Sequence, residues 1–293
     1  MGSGAVTQWV LPLALFTIML GVGMTLKLSE FRLLLRQPGV VMAALLVQLL
    51  LLPCLGFAVV NLLQLPAALA VGIMILTFAP GGASSNMITL LARGDTALSV
   101  CLTALSGLIT PFTMPLLTGM ALAYWMGQEA ALDFPVAEAM LKLFLIALLP
   151  ALLGTLINAR WPGFCRKAER PVKVLSCLFL LLVVIGIVRA NWDQLPDFIS
   201  VLGPAVLLLV TLAMSAGYLL ARKMRLSSAQ AVTLAVEVGI QNAATALLVT
   251  GGILHNAEMS ASALIYGLLM NLPAFMLIAS RNLPQKQRLP GGA

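Results

Sequence analysis

The residues with the most chemistry in them stand close together, in Val236-Glu237-Val238-Gly239-Ile240-Gln241-Asn242. They lie inside an apolar run that begins near Ser228 and continues to about Thr250. A carboxylate at mid-membrane costs about 2.5–3.5 kcal/mol on insertion scales, so Glu237 is expected to face protein, water or an ion and not lipid. Gly239 loosens the helix two residues later, because glycine lowers helix stability by about 1 kcal/mol. Gln241 and Asn242 add two amides that need partners in a dry setting. An acid, a hinge and two amides together predict an ion or substrate site at the break of a discontinuous helix. A plain polar contact between packed spans is the competing explanation, but one amide would suffice for that.

A second interruption reads Ala79-Pro80-Gly81-Gly82-Ala83-Ser84-Ser85-Asn86. Proline and two glycines break a helix there, and the half-helix that follows presents unpaired N–H groups and a positive dipole to an anion. Taken alone, Gly81-Gly82 is explained by packing. Its significance comes from the matching break near Gly239. Ser99, Thr103, Ser106 and Thr110 are spaced four, three and four apart, which places them on one helix face. Hydroxyls in membranes commonly bond back to their own helix, so this face predicts either that or a cation lining. Gln48 is a large amide among leucines and requires a partner.

The elements that must position these residues follow from composition. Hydrophobic residues are 61% of 293 and charged residues 9%, against about 25% charged in a soluble domain. Mean hydropathy is +1.04. An all-α polytopic membrane protein is expected. Apolar runs long enough to span cover 9–26, 40–60, 67–91, 96–126, 139–157, 172–188, 199–220, 228–250 and 260–279, nine in all. The fourth is long and carries Pro111 and Pro115, which predicts either a kink or an extension beyond the bilayer. Basic residues follow the first, third, fifth, seventh and ninth runs, and Glu129, Asp133, Glu138, Asp193, Asp197 and Glu258 occupy the loops between. The positive-inside rule then puts the N-terminus outside (periplasmic) and the C-terminus in the cytoplasm. The net charge of +7 resides in those loops and does not argue for nucleic acid. The two interrupted runs are five spans apart and cross in opposite directions, the pattern of an inverted-repeat transporter. The repeats would cover about 8–127 and about 138–281 of one transmembrane domain, four helices and then five, with the first helix of the first repeat lacking.

Other signals are weak. Cys54, Cys101, Cys165 and Cys177 show no CxxC spacing, so neither a disulfide framework nor a zinc site is expected. Met1-Gly-Ser-Gly has no basic n-region, so a cleaved signal peptide is not expected. Lys142 and Arg189 sit where long side chains snorkel, His255 is assigned to an outer loop, and Arg93-Gly94-Asp95 is read as a tight turn only. HExxH, GxSxG and P-loop motifs are absent, which argues against a protease, a lipase or an ATP-driven pump.

Gly82-Ala83-Ser84-Ser85-Asn86, Leu91-Ala92-Arg93-Gly94-Asp95-Thr96-Ala97-Leu98-Ser99-Val100 and Glu237-Val238-Gly239-Ile240-Gln241-Asn242 together resemble the sodium/bile-acid symporter family. The resemblance implies inverted repeats, a panel domain and a core domain, and two crossing broken helices that hold two sodium ions. One sodium site would use Ser85, Asn86, Ser99, Thr103 and Glu237. The other would use Gln48, Glu237, Gln241 and the carbonyls of Val238 and Ile240. Ala83, Ser84, Asn242 and Asn271 would line the substrate crevice. Three departures stand out. The family's first helix is lacking, as in its nine-span members, Ala83 replaces a common threonine, and Met270-Asn271 stands where prokaryotic relatives have His-Asn.

The expected function is sodium-coupled import of an organic anion across a bacterial inner membrane. The cargo would be a bile-acid-like compound or a small carboxylate such as pantoate or ketopantoate, with no enzymatic activity and no obligatory protein partner. A cation/proton antiporter of related inverted-repeat fold is the alternative, weakened because Glu237 is the one carboxylate well inside a span. A sensor that binds the anion without moving it is a third class, disfavoured by the short loops.

Overall fold

The computed structural model describes residues 11–26, 32–190 and 192–282. Every element longer than a turn among them is helical. Apart from two five-residue helices, Arg32–Arg36 and Gln128–Leu132, these are in chain order α1 (Leu11–Thr25), α2 (Pro38–Leu62), α3 (Ala67–Thr77), α4 (Ala83–Leu91), α5 (Thr96–Met126), α6 (Val136–Arg160), α7 (Pro162–Ala190), α8 (Leu195–Lys223), α9 (Ser228–Gly239), α10 (Ala243–Ile253) and α11 (Ala257–Asn282). Five of them, α2, α5, α6, α11 and the helix containing α8, are long and apolar enough to cross a membrane. The expected start at Trp9 and the basic residues Lys27, Lys286 and Arg288 lie outside the described residues.

Several expected boundaries move. α7 begins at Pro162, ten residues before the apolar run, so Arg166, Lys167 and Arg170 lie in its first turns and not in a loop. Straight-chain basic residues are good helix formers, and proline suits a first turn. α5 keeps helical assignment through Pro111 and Pro115. At 31 residues it is about 46 Å long, more than the hydrocarbon layer requires.

Two wide π-helical turns, Val47–Leu51 in α2 and Phe144–Leu148 in α6, stand directly before Pro53 and Pro150. Proline removes an N–H and crowds the carbonyl four residues back, here Leu49 and Ile146. A π turn absorbs that insult without ending the helix. Gln48 sits on the first of these turns.

α1 packs against α6 and α7, while α8, α9, α11, α3 and α5 pack among themselves around the two breaks. Backbones come close where glycine permits. A Cβ on Gly23 of α1 would run into the Ala151 carbonyl of α6, and one on Gly154 of α6 into the Leu20 carbonyl of α1. Small residues at such crossings are how membrane helices gain packing without a hydrophobic drive. The Arg93-Gly94-Asp95 turn does more than reverse the chain. Asp95 caps α5 through Leu98 N at 3.1 Å, and Thr233 of α9 bonds both the N–H and the carbonyl of Asp95, at 2.8 and 3.1 Å. Cys54 and Cys165 form no disulfide. The Cys177 side chain lies outside the described residues.

Candidate ion and substrate site at the helix breaks

α3 ends at Thr77 and α4 starts at Ala83; α9 ends at Gly239 and α10 starts at Ala243. The two gaps meet. Gly81 pairs with Gln241 as an isolated antiparallel bridge, and the Asn242 N–H donates to the Pro80 carbonyl at 2.9 Å. The Gly81 N–H is taken up by Ser106 Oγ at 3.2 Å, and the Gly239 carbonyl accepts from Tyr266 Oη at 3.0 Å. Irregular backbone at membrane depth is tolerated because protein groups satisfy it in this way.

Glu237 is 1% exposed and faces this crossing. Its Oε2 accepts from Ser85 Oγ at 2.8 Å and Ser99 Oγ at 3.0 Å, and its Oε1 accepts from Thr103 Oγ1 at 2.5 Å. Asn86 Oδ1 lies 2.8 Å from Ser99 Oγ and 3.4 Å from Thr103 Oγ1. Ser85 Oγ is also 2.7 Å from the Gly82 carbonyl. A hydroxyl carries one proton, so three protons serve both Glu237 oxygens, the Asn86 carbonyl and the Gly82 carbonyl. Lone pairs therefore outnumber protons, which is the donor set a hard cation takes. Among the described residues the one ion pair is Lys142–Glu138, at 2.7 Å on the α6 surface, so no basic side chain neutralises Glu237. The structure thus brings Ser85, Asn86, Ser99, Thr103 and Glu237 together, across separations of up to 152 residues.

The other expected group is less complete. Gln241 Nε2 donates to the Val238 carbonyl at 2.8 Å and to the Glu237 carbonyl at 3.3 Å, while its buried Oε1 has no partner. Gln48 is 1% exposed with its Nε2 unpartnered, and the turn that carries it packs on α9. Ile240 is extended at φ −110°, ψ 102°.

A cavity of about 320 Å³ opens beside the crossing; its walls are mostly apolar, Ile18, Leu247, Leu264 and Met270 among them, and Ser84, Gln241, Asn242 and Asn271 supply its polar groups. Asn242 Oδ1 caps α10 through Thr245 N at 3.1 Å, which leaves its NH₂ for a ligand. Asn271 spends its NH₂ on the Gly267 and Leu268 carbonyls, at 2.8 and 3.2 Å, and offers its oxygen. Ala83 opens α4; its side chain lies outside the described residues. His255, at φ 50°, sets Nδ1 3.1 Å from the Gly251 carbonyl and stands away from the crossing.

Tyr266 was not anticipated, and Ser106 and Gly81 take roles beyond the expected ones. Tyr266 and Ser106 hold the break backbones, and Gly81 gives up its side-chain volume to the acid, since a Cβ there would overlap Glu237 Oε1. The available cue for Tyr266 was a phenol inside an apolar run, because a buried tyrosine hydroxyl usually finds a partner.

The profile of the Sodium Bile acid symporter family matches residues 12–198. The chain belongs to this family. An uncharacterised sodium-dependent transporter of Bacillus subtilis is 29% identical over 276 residues, spanning 92% of this chain and 83% of that protein. A probable chloroplastic sodium/metabolite cotransporter of Arabidopsis thaliana is 31% identical over 246 residues, with 80% of this chain and 58% of its own length covered. Sodium/bile acid cotransporter 4 of Rattus norvegicus is 30% identical over 234 residues, 78% of this chain and 52% of its own length. The chain spans about half the length of the plant and mammalian relatives. Family membership makes this symporter-family chain a membrane transporter and not an enzyme.

Proposed function

We propose that the chain is a sodium-coupled symporter that imports a small organic anion across a bacterial inner membrane. The observation that carries the reading is Glu237, buried without a basic partner and ringed by the oxygens of Ser85, Asn86, Ser99 and Thr103. One sodium ion enters that ring. A second is taken by Gln48, Gln241, the carbonyls of Val238 and Ile240, and the shared charge of Glu237. The unpaired Gln241 oxygen supports this second site. Sodium ties α4 and α5 to α9, which aligns the N-termini of α4 and α10 on the anion's carboxylate. Ser84, Asn242 and the backbone at Ala83 then face that carboxylate, while Asn271, whose NH₂ is held by its own helix, lines the crevice with its amide oxygen.

Nine crossings follow when the pairs α3/α4 and α9/α10 each count once and α1 and α7 join the five long helices. The crossings divide four and five between inverted repeats. α1, α6 and α7 form the panel, and the remaining helices form the core. Loop charge places the N-terminus outside and the C-terminus inside. Two sodium ions with a monoanion move one net charge, worth about 2.3 kcal/mol per 100 mV.

The test is uptake into proteoliposomes. Small carboxylates and bile acids are offered with an inward sodium gradient, then with potassium, then with a proton gradient alone. Uptake that needs sodium supports the reading. Uptake driven equally by protons, or binding with no flux, refutes it.

A further inference from the structure

α7 carries more charge than a membrane span needs, and it carries it in one place. Its first turns lie ahead of the apolar run, and Arg166, Lys167 and Arg170 there are exposed, as is Arg160 at the end of α6. Across 160–173 the sequence holds five basic residues and one acid, Glu169. The side chains of Glu169 and Lys173 lie outside the described residues. Among the described residues none of the four exposed cations pairs with an acid. Cations early in a helix also oppose its dipole, and no acid stands in the first turn of α7 to offset them. A negative partner from outside the chain answers both deficits.

Helix register says where that partner lies. Lys167, Arg170, Val174, Leu178, Leu181 and Ile185 fall at alternating three- and four-residue steps, which is one helix face. Its four apolar members are 51–55% exposed. Cys165 is 3% exposed and lies about 200° around the helix from Lys167, on the side that packs against protein. The cations therefore continue the lipid-facing stripe. At 1.5 Å per residue Leu181 lies about 16 Å along the axis from Arg170, the depth of one leaflet's hydrocarbon. Trp161 and Phe164, 60% and 58% exposed, stand at the charged end, where aromatic side chains settle at headgroup level.

We propose that this face of α7 binds an anionic phospholipid of the phosphatidylglycerol class, in the leaflet that loop charge marks as cytoplasmic. Its acyl chains lie along Val174, Leu178 and Leu181, and its phosphate is held between Lys167 and Arg170, whose guanidinium offers two parallel N–H donors. Arg166, one turn before Arg170, adds positive potential. A zwitterionic headgroup brings a cation of its own into that potential and is the weaker ligand. α7 supplies none of the residues at the helix breaks, so the site stands or falls apart from the sodium ring.

The test is the melting temperature of the purified chain in neutral detergent and potassium chloride. It is titrated with dioleoyl phosphatidylglycerol, dioleoyl phosphatidylcholine or sn-glycerol 3-phosphate. Phosphatidylglycerol should stabilise the protein at a midpoint about 25-fold below that of phosphatidylcholine, about fivefold for each of the two contacting cations. The tail-less glycerol phosphate should leave the melting temperature unchanged. In Lys167→Gln with Arg170→Gln the phosphatidylglycerol midpoint should rise about 25-fold, to that of phosphatidylcholine. Both positions are exposed and glutamine is a good helix former, so melting without lipid stays at the wild-type value. Arg222→Gln with Lys223→Gln removes two exposed cations at the end of α8 and should leave the midpoint within about twofold. Equal midpoints for the two lipids, equal stabilisation by glycerol phosphate, or equal shifts in the two double variants overturn the proposal, the last by showing diffuse surface charge and no site.

Discussion

Replacing Glu237 with Gln removes one charge and almost no volume, which isolates the electrostatic part of the site. Three hydroxyl oxygens stand 2.5–3.0 Å from the carboxylate, so an ion held by that shell sits within about 4 Å of it. At an effective dielectric constant near 20, a unit pair at that distance is worth about 4 kcal/mol, or roughly a thousandfold in affinity. Folding itself should survive. Ser85 can turn to the Gly82 carbonyl and Ser99 to Asn86, both already within 2.8 Å, so the hydroxyls keep acceptors. Removal of an uncompensated buried charge also relieves a burial cost. The assay is the melting temperature of purified protein titrated with sodium chloride against potassium chloride. At one hundred times its dissociation constant, sodium stabilises wild type by about 2.7 kcal/mol, and at the same concentration the variant gains less than about 0.1 kcal/mol. In potassium the variant should melt no lower than wild type. A sodium midpoint in Glu237→Gln within tenfold of wild type would refute the assignment of the charge.

Gly81→Ala should fold and lose sodium-stimulated uptake, because the new methyl overlaps Glu237 Oε1 and lies 3.4 Å from Thr103 Oγ1; circular dichroism with uptake checks this, and normal transport would contradict it. Tyr266→Phe strands the Gly239 carbonyl and should cost about 1–3 kcal/mol of stability, read as a lower melting temperature with sodium absent. Asn242→Ala removes the α10 cap, worth about 0.5–2 kcal/mol, and should weaken carboxylate binding more than sodium binding; equal losses in paired titrations would deny it a separate role.

The amino-acid sequence by itself determined that this is a helical membrane protein and where two of its helices give way. Both follow from local physics: long apolar runs have few alternatives in lipid, and Pro80-Gly81-Gly82 and Gly239 weaken a helix wherever they occur. Ser99 and Thr103 were legible as one face of α5, but their meeting with Glu237 was implied by family resemblance and not by spacing. The start of α7 was misplaced because hydropathy marks the bilayer and not the end of hydrogen bonding. The π turns before Pro53 and Pro150 escaped notice because a proline in a helix can kink, end or widen it, and neighbouring helices select among these outcomes. Only the tertiary structure decided that the two breaks pair through Gly81 and Gln241, that Tyr266 and Ser106 complete their hydrogen bonds, and that Asn242 lines two cavities beside the crossing. These are contacts between residues far apart in the chain, and no local preference specifies which buried donor finds which buried acceptor. The requirement that every such group be satisfied within the protein acts on the assembled fold.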